Sequence, residues 1–188
     1  EPATAPETMT DRRVPAESRP APLLTRRRLL RATAAAALAT ASSATFAQPS
    51  RSSFTLRLVR PTSTGPATQT FDAASLAALG ASTLATHVPW DKEARTWEGV
   101  HLKRLLASVQ VAGRPIRVKA LNDYVAVIPW VDIEQFDPLL AWLRDGQPIP
   151  VRAKGPLLVV YPFSTHPELR RAEYTDRSVW HVSEIVVE

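Results

Sequence analysis

An amide, a carboxylate and a phenol follow one another in the sequence at Asn122, Asp123 and Tyr124. Apolar, strand-like segments flank them, so we predict strands over residues 116–120 and 124–128 with this polar triplet at their junction. A carboxylate accepts two parallel hydrogen bonds from adjacent donors, and an amide both donates and accepts. The triplet therefore suits a site that binds the polar edge of a flat heterocycle. The alternative is an Asx turn, in which these side chains bond to their own backbone.

A second set of candidates lies in an earlier strand and in the turn that ends it. The segment "STLATHV" is predicted to be a strand that ends before Pro89, because proline cannot continue a central ladder. Trp90 follows in the turn, either as a core residue or as an aromatic platform for a ligand. Thr86 and His87 are neighbours in the strand, so their side chains should face opposite sides and not share a pocket. Three other tryptophans are expected in the core: Trp97, Trp130 and Trp142.

The composition excludes several classes of function. The 188 residues contain no cysteine, which excludes disulfides, thiolate metal ligands and thiol nucleophiles. The histidines lack the spacing of metal ligands, so we expect no metal held directly by protein side chains. The net charge of +5 comes largely from the first 47 residues, with seven Arg and four acids, and the remainder is nearly neutral. Without a basic patch or helix, nucleic acid is not an expected partner.

The N-terminal segment has the parts of an export signal. Three arginines, Arg26 to Arg28, precede an alanine-rich run that ends in the small-residue site Thr45-Phe46-Ala47. "TRRRLLR" resembles the twin-arginine export box, and the apolar run is too short to span a bilayer. We predict that residues 1–47 are a signal peptide cleaved near Ala47. Residues 48–188 would then be a single exported, periplasmic domain.

The remaining chain is predicted to contain short strands, turns and a few brief helices. Asp72 is placed to cap a helix that runs through Leu79, and "GVHLKRLLASV" has the apolar spacing of an amphipathic helix. A one-turn helix is expected to begin at Asp132, "GPLLVVYP" is a buried strand, and "VWHVSEIVV" is a closing strand. Residues 167–176 are expected to be an exposed charged loop. The pattern predicts an α+β fold with a mixed or antiparallel β core and two or three short helices.

Four motifs in this order resemble the sulfite-oxidase-type molybdopterin-binding domain, over about residues 54–187. They are "TWEGVHLKRLL", "VKALNDYVAVIP", "DGQPIPVRAKGPLLVVYP" and "DRSVWHV". The resemblance implies that Tyr124 corresponds to an active-site tyrosine, and that Arg177 and Ser178 belong to a loop that contacts the cofactor. For Arg177 a plain surface charge is the alternative.

The sequence departs from that family at the position of its metal ligand. The family's strand ends in a cysteine that ligates molybdenum, and Thr86 stands at that position here. A hydroxyl does not ionise near neutral pH and is not a soft donor. Two cationic positions of the family are also replaced, by Leu158 and Trp180. The motifs therefore resemble a scaffold for a pterin without the groups that hold its metal.

This pattern resembles a cysteine-free subgroup of exported proteins that bind a free reduced pterin and signal to a membrane partner. The resemblance implies a tetrahydropterin-like ligand and, as partner, the periplasmic domain of a membrane sensor or of a cyclic di-GMP enzyme. Its expected site residues are Thr86, Trp90, Asn122, Asp123, Tyr124, Arg177 and Ser178, with no catalytic residue. The alternative is a molybdopterin-dependent oxidoreductase of the sulfite oxidase type that lacks the cysteine ligand.

Overall fold

Residues 53–188, which the computed structural model describes, form two five-stranded sheets and four short helices. The strands are β1 (Leu56–Thr62), β2 (Gly65–Phe71), β3 (Ser82–Val88), β4 (Asp91–His101), β5 (Ile116–Ala120), β6 (Val125–Ile128), β7 (Leu139–Arg144), β8 (Gln147–Pro148), β9 (Leu158–Val160) and β10 (Val182–Val187). The helices are α1 (Ala73–Ala78), α2 (Leu102–Ser108), α3 (Trp130–Gln135) and α4 (Ala172–Arg177). The predicted signal peptide, residues 1–47, lies outside the described residues.

The first sheet joins the two ends of the described chain. Its strand order is β2-β1-β10-β5-β6, and the β1–β10 pair is parallel while its other pairs are antiparallel. Side chains alternate across the pleat, so Leu56 and Leu58 are buried while Arg57 between them is exposed and pairs with Glu184. The mixed sheet and the α+β class confirm the predicted fold, although the described part has four helices rather than two or three.

The second sheet has the order β3-β4-β7-β8, and β9 also pairs with β7. Strand β7 is central, which explains why four of its six residues are buried in an unbroken run. Strand β4 passes so close to β7 that a Cβ on Gly99 would overlap the carbonyl oxygen of Leu140. This close approach keeps Gly99 and Val100 in the strand. The predicted helix was therefore placed too early, and α2 begins only at Leu102.

The first turns of α1 and α3 are set by the residues that precede them, which are Asp72 and Pro129. Asp72 caps α1 as predicted, because its carboxylate accepts the Ser75 N–H at 2.8 Å and the Ser75 hydroxyl accepts the Asp72 N–H in return. Helix α3 follows Pro129 and begins at Trp130, so Asp132 lies inside it and is buried. The prediction that Asp132 begins this helix is wrong by about half a turn.

The segment 167–176 is folded and is not the exposed loop that we expected. A 3₁₀ turn, Pro167–Arg170, leads into α4, and the apolar side chains of Leu169 and Tyr174 are buried. The charged residues between them face outward, which gave the segment its loop-like composition. Helix α4 therefore forms a fixed wall beside the start of β10.

One cluster of buried side chains fills the space that the strands and helices enclose. Trp97 and Trp142 are buried, as expected, whereas Trp130 is only half-buried. Over residues 53–188, no helix has the length and apolar character needed to cross a membrane.

Candidate functional site: two clefts separated by Trp180

A first cleft of about 260 Å³ opens where the β5–β6 turn meets α4 and the start of β10. It is lined by Asn122, Tyr124, Thr175, Asp176, Trp180 and His181. Its volume is close to the lower end of the range for small-molecule sites, about 300–1,000 Å³. The lining combines an indole face with an amide, a carboxylate and a phenol, which are groups that can bind a flat polar heterocycle.

Hydrogen bonds between separate segments fix this first cleft. The Tyr124 hydroxyl donates to the carbonyl oxygen of Asp176 at 3.0 Å, and the Leu121 N–H donates to the carbonyl of His181 at 2.9 Å. Burial raises the pKa of Tyr124, and the negative charge of Asp176 acts in the same direction. Tyr124 therefore stays neutral at physiological pH and keeps the hydrogen bond that holds the turn against α4.

A second cleft of about 300 Å³ lies on the other side of Trp180. Its lining includes Trp90, Trp97, Asp91, Arg144, Arg152, Ala153 and Lys154, and it shares Trp180 and His181 with the first cleft. The ring centroids of Trp90 and Trp180 are 5.6 Å apart, with their planes inclined at 38°. Because Trp180 and His181 line both clefts, the two clefts are adjacent, and the second has the more polar and cationic lining.

The ammonium group of Lys154 is held by aromatic rings. Its Nζ atom lies 2.8 Å from the Trp180 ring centroid and 5.2 Å from that of Trp90. Burial lowers the pKa of Lys154. The faces of the two indoles attract the ammonium by a cation–π interaction. Lys154 places a positive charge beside Trp180, which stands at one of the two positions where the family resemblance implies a cation.

The backbone near Trp180 adopts conformations that favour glycine. Lys154 has φ of 76° and His181 has φ of 55°, and such strain persists only where surrounding contacts hold it. The His181 N–H donates to the Lys154 carbonyl at 3.2 Å, and the Val182 N–H donates to the Leu157 carbonyl at 3.0 Å. These bonds fix the segment that carries Trp180 against the segment that carries Lys154.

Asn122 and Tyr124 line the first cleft, and Trp90 lines the second. Thr86 lines neither. It is fully buried, and its hydroxyl accepts a hydrogen bond from the Ser164 N–H at 2.9 Å while lying 3.1 Å from Ser164 Oγ. The hydroxyl of Thr86 is therefore engaged by the Ser164 loop.

His87 reaches the same serine as Thr86. Its Nδ1 atom lies 2.8 Å from Ser164 Oγ, and its backbone N–H donates to that oxygen at 3.1 Å. Burial alternates from Thr86 to His87 as expected and the two residues share no cleft, but both side chains contact Ser164 Oγ. The pairing of β3 with β4 shifts register between Thr86 and Val88, an irregularity at the position of these contacts.

Asp123 points away from both clefts. Its side chain is 84% exposed and forms an ion pair with Lys119 at 2.9 Å, and its φ is 62°. The acidic residue among the lining of the first cleft is instead Asp176, one residue before the end of α4, whose backbone carbonyl accepts the Tyr124 hydroxyl. Asp176 is the first residue of the motif "DRSVWHV", but it was not selected as a site residue because the segment 167–176 has the composition of a solvated loop.

Arg177 and Ser178 are bonded inside the protein. Arg177 Nη1 lies 2.9 Å from Oδ2 of the buried Asp132, and the Tyr161 hydroxyl donates to the same oxygen at 3.0 Å. Ser178 is fully buried, and its hydroxyl donates to the Tyr174 carbonyl at 2.8 Å. Neither residue lines a cleft, so both hold α4 in place in this structure.

Within residues 53–188, no three His, Asp or Glu side chains are grouped as metal ligands. The first cleft offers an indole and polar side chains to the ring of the molybdopterin that the family resemblance implies. At the expected metal-ligand position, the Thr86 hydroxyl is already bonded to Ser164. This hydroxyl does not supply the thiolate that ligates the metal in the family.

Comparison with solved structures supports the fold. The chain is similar to the sulfane dehydrogenase SoxCD from Paracoccus pantotrophus, with a TM-score of 0.54 and 15% sequence identity. The match covers 74% of this chain and 39% of that chain, so this chain spans about two fifths of the length of the protein that it resembles. Comparison with curated proteins found no match.

The family of the chain follows from its sequence, read together with this fold. The family model described as "Oxidoreductase molybdopterin binding domain" matches residues 62–165. The matched range includes β3 with Thr86, the β5–β6 turn with Asn122 and Tyr124, and the segment that carries Lys154. It covers more than half of the chain, and the chain belongs to the family of oxidoreductase molybdopterin-binding domains.

Proposed function

We propose that this domain binds a pterin ring in the first cleft without holding a metal ion through a protein side chain. The proposal rests on a difference between the first cleft, whose side chains line an open recess, and the surroundings of Thr86, where the polar groups are bonded to one another. The indole, amide and carboxylate of the first cleft line an open recess, whereas the hydroxyl of Thr86 is bonded to Ser164. In such a site the indole stacks on the face of the heterocycle, and the amide and carboxylate form hydrogen bonds with its polar edge.

Each group of the first cleft has a role in this proposal. Trp180 supplies the stacking face, and aromatic stacking contributes about 0.5–1.5 kcal/mol beyond the burial of area. The Asp176 carboxylate accepts hydrogen bonds from the ring N3–H and the 2-amino group of the pterin, as a paired, charge-assisted contact. Asn122 bonds to the remaining polar edge. Tyr124 is a positioning residue, because its hydroxyl is already donated to the Asp176 carbonyl.

We further propose that the protein acts in the periplasm and reports the ligand to the periplasmic domain of a membrane-bound sensor or cyclic di-GMP enzyme. The export-type segment before residue 48 and the cysteine-free sequence support this part of the proposal. The ligand would be a reduced pterin of the tetrahydropterin type, and the protein would have no catalytic residue.

The second candidate function is that of a molybdopterin-dependent oxidoreductase. The family match favours it, because the matched family is defined by molybdopterin binding. In that case the cofactor would be held by its organic part alone, since Thr86 offers no thiolate. Metal content separates the two candidates.

The test is analysis of small molecules and metals released from the protein isolated after export in its native host. We expect a pterin close to one equivalent, and neither molybdenum nor tungsten. An Asp176→Asn variant should lose the pterin, whereas the matched Asp123→Asn variant should retain it. Stoichiometric molybdenum or tungsten would favour the oxidoreductase, and absence of any pterin from the wild-type protein would overturn both candidates.

A further inference from the structure

His181 lines both clefts, and three of its four polar groups are already bonded within the fold. Its backbone N–H donates to the Lys154 carbonyl at 3.2 Å, and its own carbonyl accepts the Leu121 N–H at 2.9 Å. Its ring nitrogen Nδ1 is hydrogen-bonded to the carbonyl oxygen of Gly155. Within residues 53–188, no hydrogen bond involves the other ring nitrogen, Nε2. This atom is therefore available to solvent or to a ligand.

The partner of Nδ1 determines the chemistry of Nε2. A carbonyl oxygen only accepts hydrogen bonds, so Nδ1 carries the ring proton and donates it to Gly155. In the neutral imidazole, a proton on Nδ1 leaves a free lone pair on Nε2. The residue is also held in place, because its backbone has φ of 55° and both of its backbone polar groups are bonded. His181 therefore offers a fixed hydrogen-bond acceptor.

An acceptor beside the first cleft distinguishes the oxidation states of a pterin. The oxidised ring has lone pairs at N5 and N8, whereas the tetrahydro form carries an N–H at both atoms. An N–H donates to Nε2, but a ring lone pair would leave two acceptors opposed. The edge that Asp176 and Asn122 are proposed to bind has the same N3–H and 2-amino donors in both forms. Discrimination by hydrogen bonds must therefore come from a group beside N5 or N8.

We propose that His181 selects the reduced form of the pterin, by accepting at Nε2 a hydrogen bond from N5–H or N8–H of the ring. This inference rests on the proposed binding of a pterin in the first cleft, and it names the residue that determines the oxidation state of the ligand. His181 directly follows Trp180, the proposed stacking face, in the sequence. The face and the acceptor thus come from one short segment just before β10.

The test is an anaerobic calorimetric titration of the purified, ligand-free protein with 6-hydroxymethylpterin and with its tetrahydro form. The wild-type protein should bind the tetrahydro form about tenfold more tightly, because a hydrogen bond replaces two opposed lone pairs. Wild-type protein that binds the oxidised form at least as tightly as the reduced form would overturn the proposal.

His181→Asn removes Nε2 and keeps the other contacts of the side chain. The asparagine amide reaches the position of Nδ1 and can still donate to the Gly155 carbonyl, and asparagine tolerates the φ of 55°. We expect this variant to lose about tenfold in affinity for the tetrahydro form and to bind the oxidised form as the wild-type protein does. Urea unfolding checks that the fold is kept. A variant that retains the preference for the reduced form would also overturn the proposal.

His101→Asn is the matched control. His101 Nδ1 lies 2.7 Å from the Asp137 carbonyl oxygen, so its ring makes the same type of contact, and the residue lines neither cleft. Both affinities should stay at their wild-type values. A loss of preference in this variant equal to that of His181→Asn would remove the special role of His181.

The tautomer is measured independently of affinity, from the nitrogen NMR signals of the imidazole rings. The signals of His181, identified by their absence from His181→Asn, should belong to the tautomer with the proton on Nδ1. The tetrahydro form should shift the Nε2 signal toward that of a hydrogen-bonded nitrogen, and the oxidised form should not. A ligand-free protein with the His181 proton on Nε2 would contradict the inference.

The 7,8-dihydro form identifies the ring nitrogen that donates. It carries N8–H but has a lone pair at N5, so affinity like that of the tetrahydro form assigns the contact to N8, and affinity like that of the oxidised form assigns it to N5. The two proposals fail in different ways. If no form of the pterin binds, the proposed function falls and this inference falls with it. If all forms bind equally, the cleft still binds a pterin and only the role of His181 is removed.

Discussion

The polar side chains around Trp180 and those around Thr86 differ in what they bind. In the first cleft, Asn122 and Asp176 line an open recess beside the indole face. Around Thr86 the hydroxyl, the Ser164 side chain and the His87 ring bind one another. A second closed group lies beneath α4, where the Asp132 carboxylate takes up both Arg177 and the Tyr161 hydroxyl.

This difference separates residues whose polar groups are bonded within the fold from residues that line an open recess. Asn122 belongs partly to both, because its Oδ1 accepts the Tyr124 N–H at 3.4 Å, as in the Asx turn named as the alternative. A buried polar group that already has protein partners stabilises its surroundings, and removing one partner leaves the other unsatisfied. A polar group that lines a recess has little effect on stability and acts on whatever enters. Substitutions in the closed groups should therefore change the free energy of unfolding, and substitutions in the first cleft should change ligand affinity.

The largest effect is expected for Asp132→Ala. It leaves the Arg177 guanidinium and the Tyr161 hydroxyl without their common partner, and breaking a buried charge pair costs about 3–5 kcal/mol. Because the Arg177 side chain is 22% exposed, we expect about 3 kcal/mol, at the lower end. Urea unfolding measures it, with Asp123→Asn as an exposed control that should leave stability almost unchanged, because asparagine also tolerates the φ of 62° at this position. Equal stability of the two variants would contradict the structural role of Asp132.

Asp176→Asn should have the next largest effect, on affinity and not on stability. It replaces a carboxylate that accepts two hydrogen bonds by an amide, and a charged hydrogen-bond partner contributes roughly 1.5–3 kcal/mol. We expect a loss of affinity for 6-hydroxymethylpterin of about thirtyfold, measured by calorimetry. Asp123→Asn should bind as the wild-type protein does. A larger loss of affinity from Asp123→Asn than from Asp176→Asn would mean that Asp123 is the carboxylate that binds the pterin.

A smaller loss of affinity is expected for Trp180→Leu. The leucine keeps an apolar surface but removes the stacking face, which contributes about 0.5–1.5 kcal/mol, or roughly threefold to tenfold in affinity. Trp180 is 41% exposed but also contacts Trp90 and Lys154, so urea unfolding of the variant is measured beside the affinity. Trp90→Leu is the matched control, because Trp90 lines only the second cleft. Equal losses from the two variants would place the ring between the indoles instead.

The smallest effect is expected for Thr86→Val. The substitution keeps the shape of the side chain but leaves the Ser164 N–H without its acceptor, at a cost of about 1 kcal/mol. Thermal unfolding measures this loss against Thr83→Val, an exposed position on the same strand. Pterin affinity should stay the same. A large loss of affinity would mean that Thr86 belongs to the binding site after all.

Local patterns in the sequence predicted the elements whose signals are local. The cap at Asp72, the strand β3 and the strands on either side of the Asn122 turn are encoded by neighbouring residues. The start of α2 was misplaced, because the close approach of Gly99 to Leu140 depends on a distant strand. The segment 167–176 was misjudged, because two buried apolar side chains among many charges give only a weak periodic signal.

The site was predictable only in part, for a similar reason. The sequence indicated Asn122, Tyr124 and Trp90 as polar or aromatic candidates in turns. Asp176 lies 52 residues from the tyrosine whose hydroxyl its carbonyl accepts, and Lys154 reaches Trp180 from a separate segment. Only the folded chain brings these groups together. A motif shows that Trp180 replaces a cationic position of the family, but it does not show that Lys154 places its ammonium beside that position.

The most direct test of the central claim is a calorimetric titration of metal-free protein with reduced 6-hydroxymethylpterin in the presence of a chelator. We expect one-to-one, saturable binding that Asp176→Asn weakens and Asp123→Asn does not. Absence of binding by the metal-free protein, or binding that appears only when molybdenum is supplied, would contradict the claim that this cleft binds the ring without a metal.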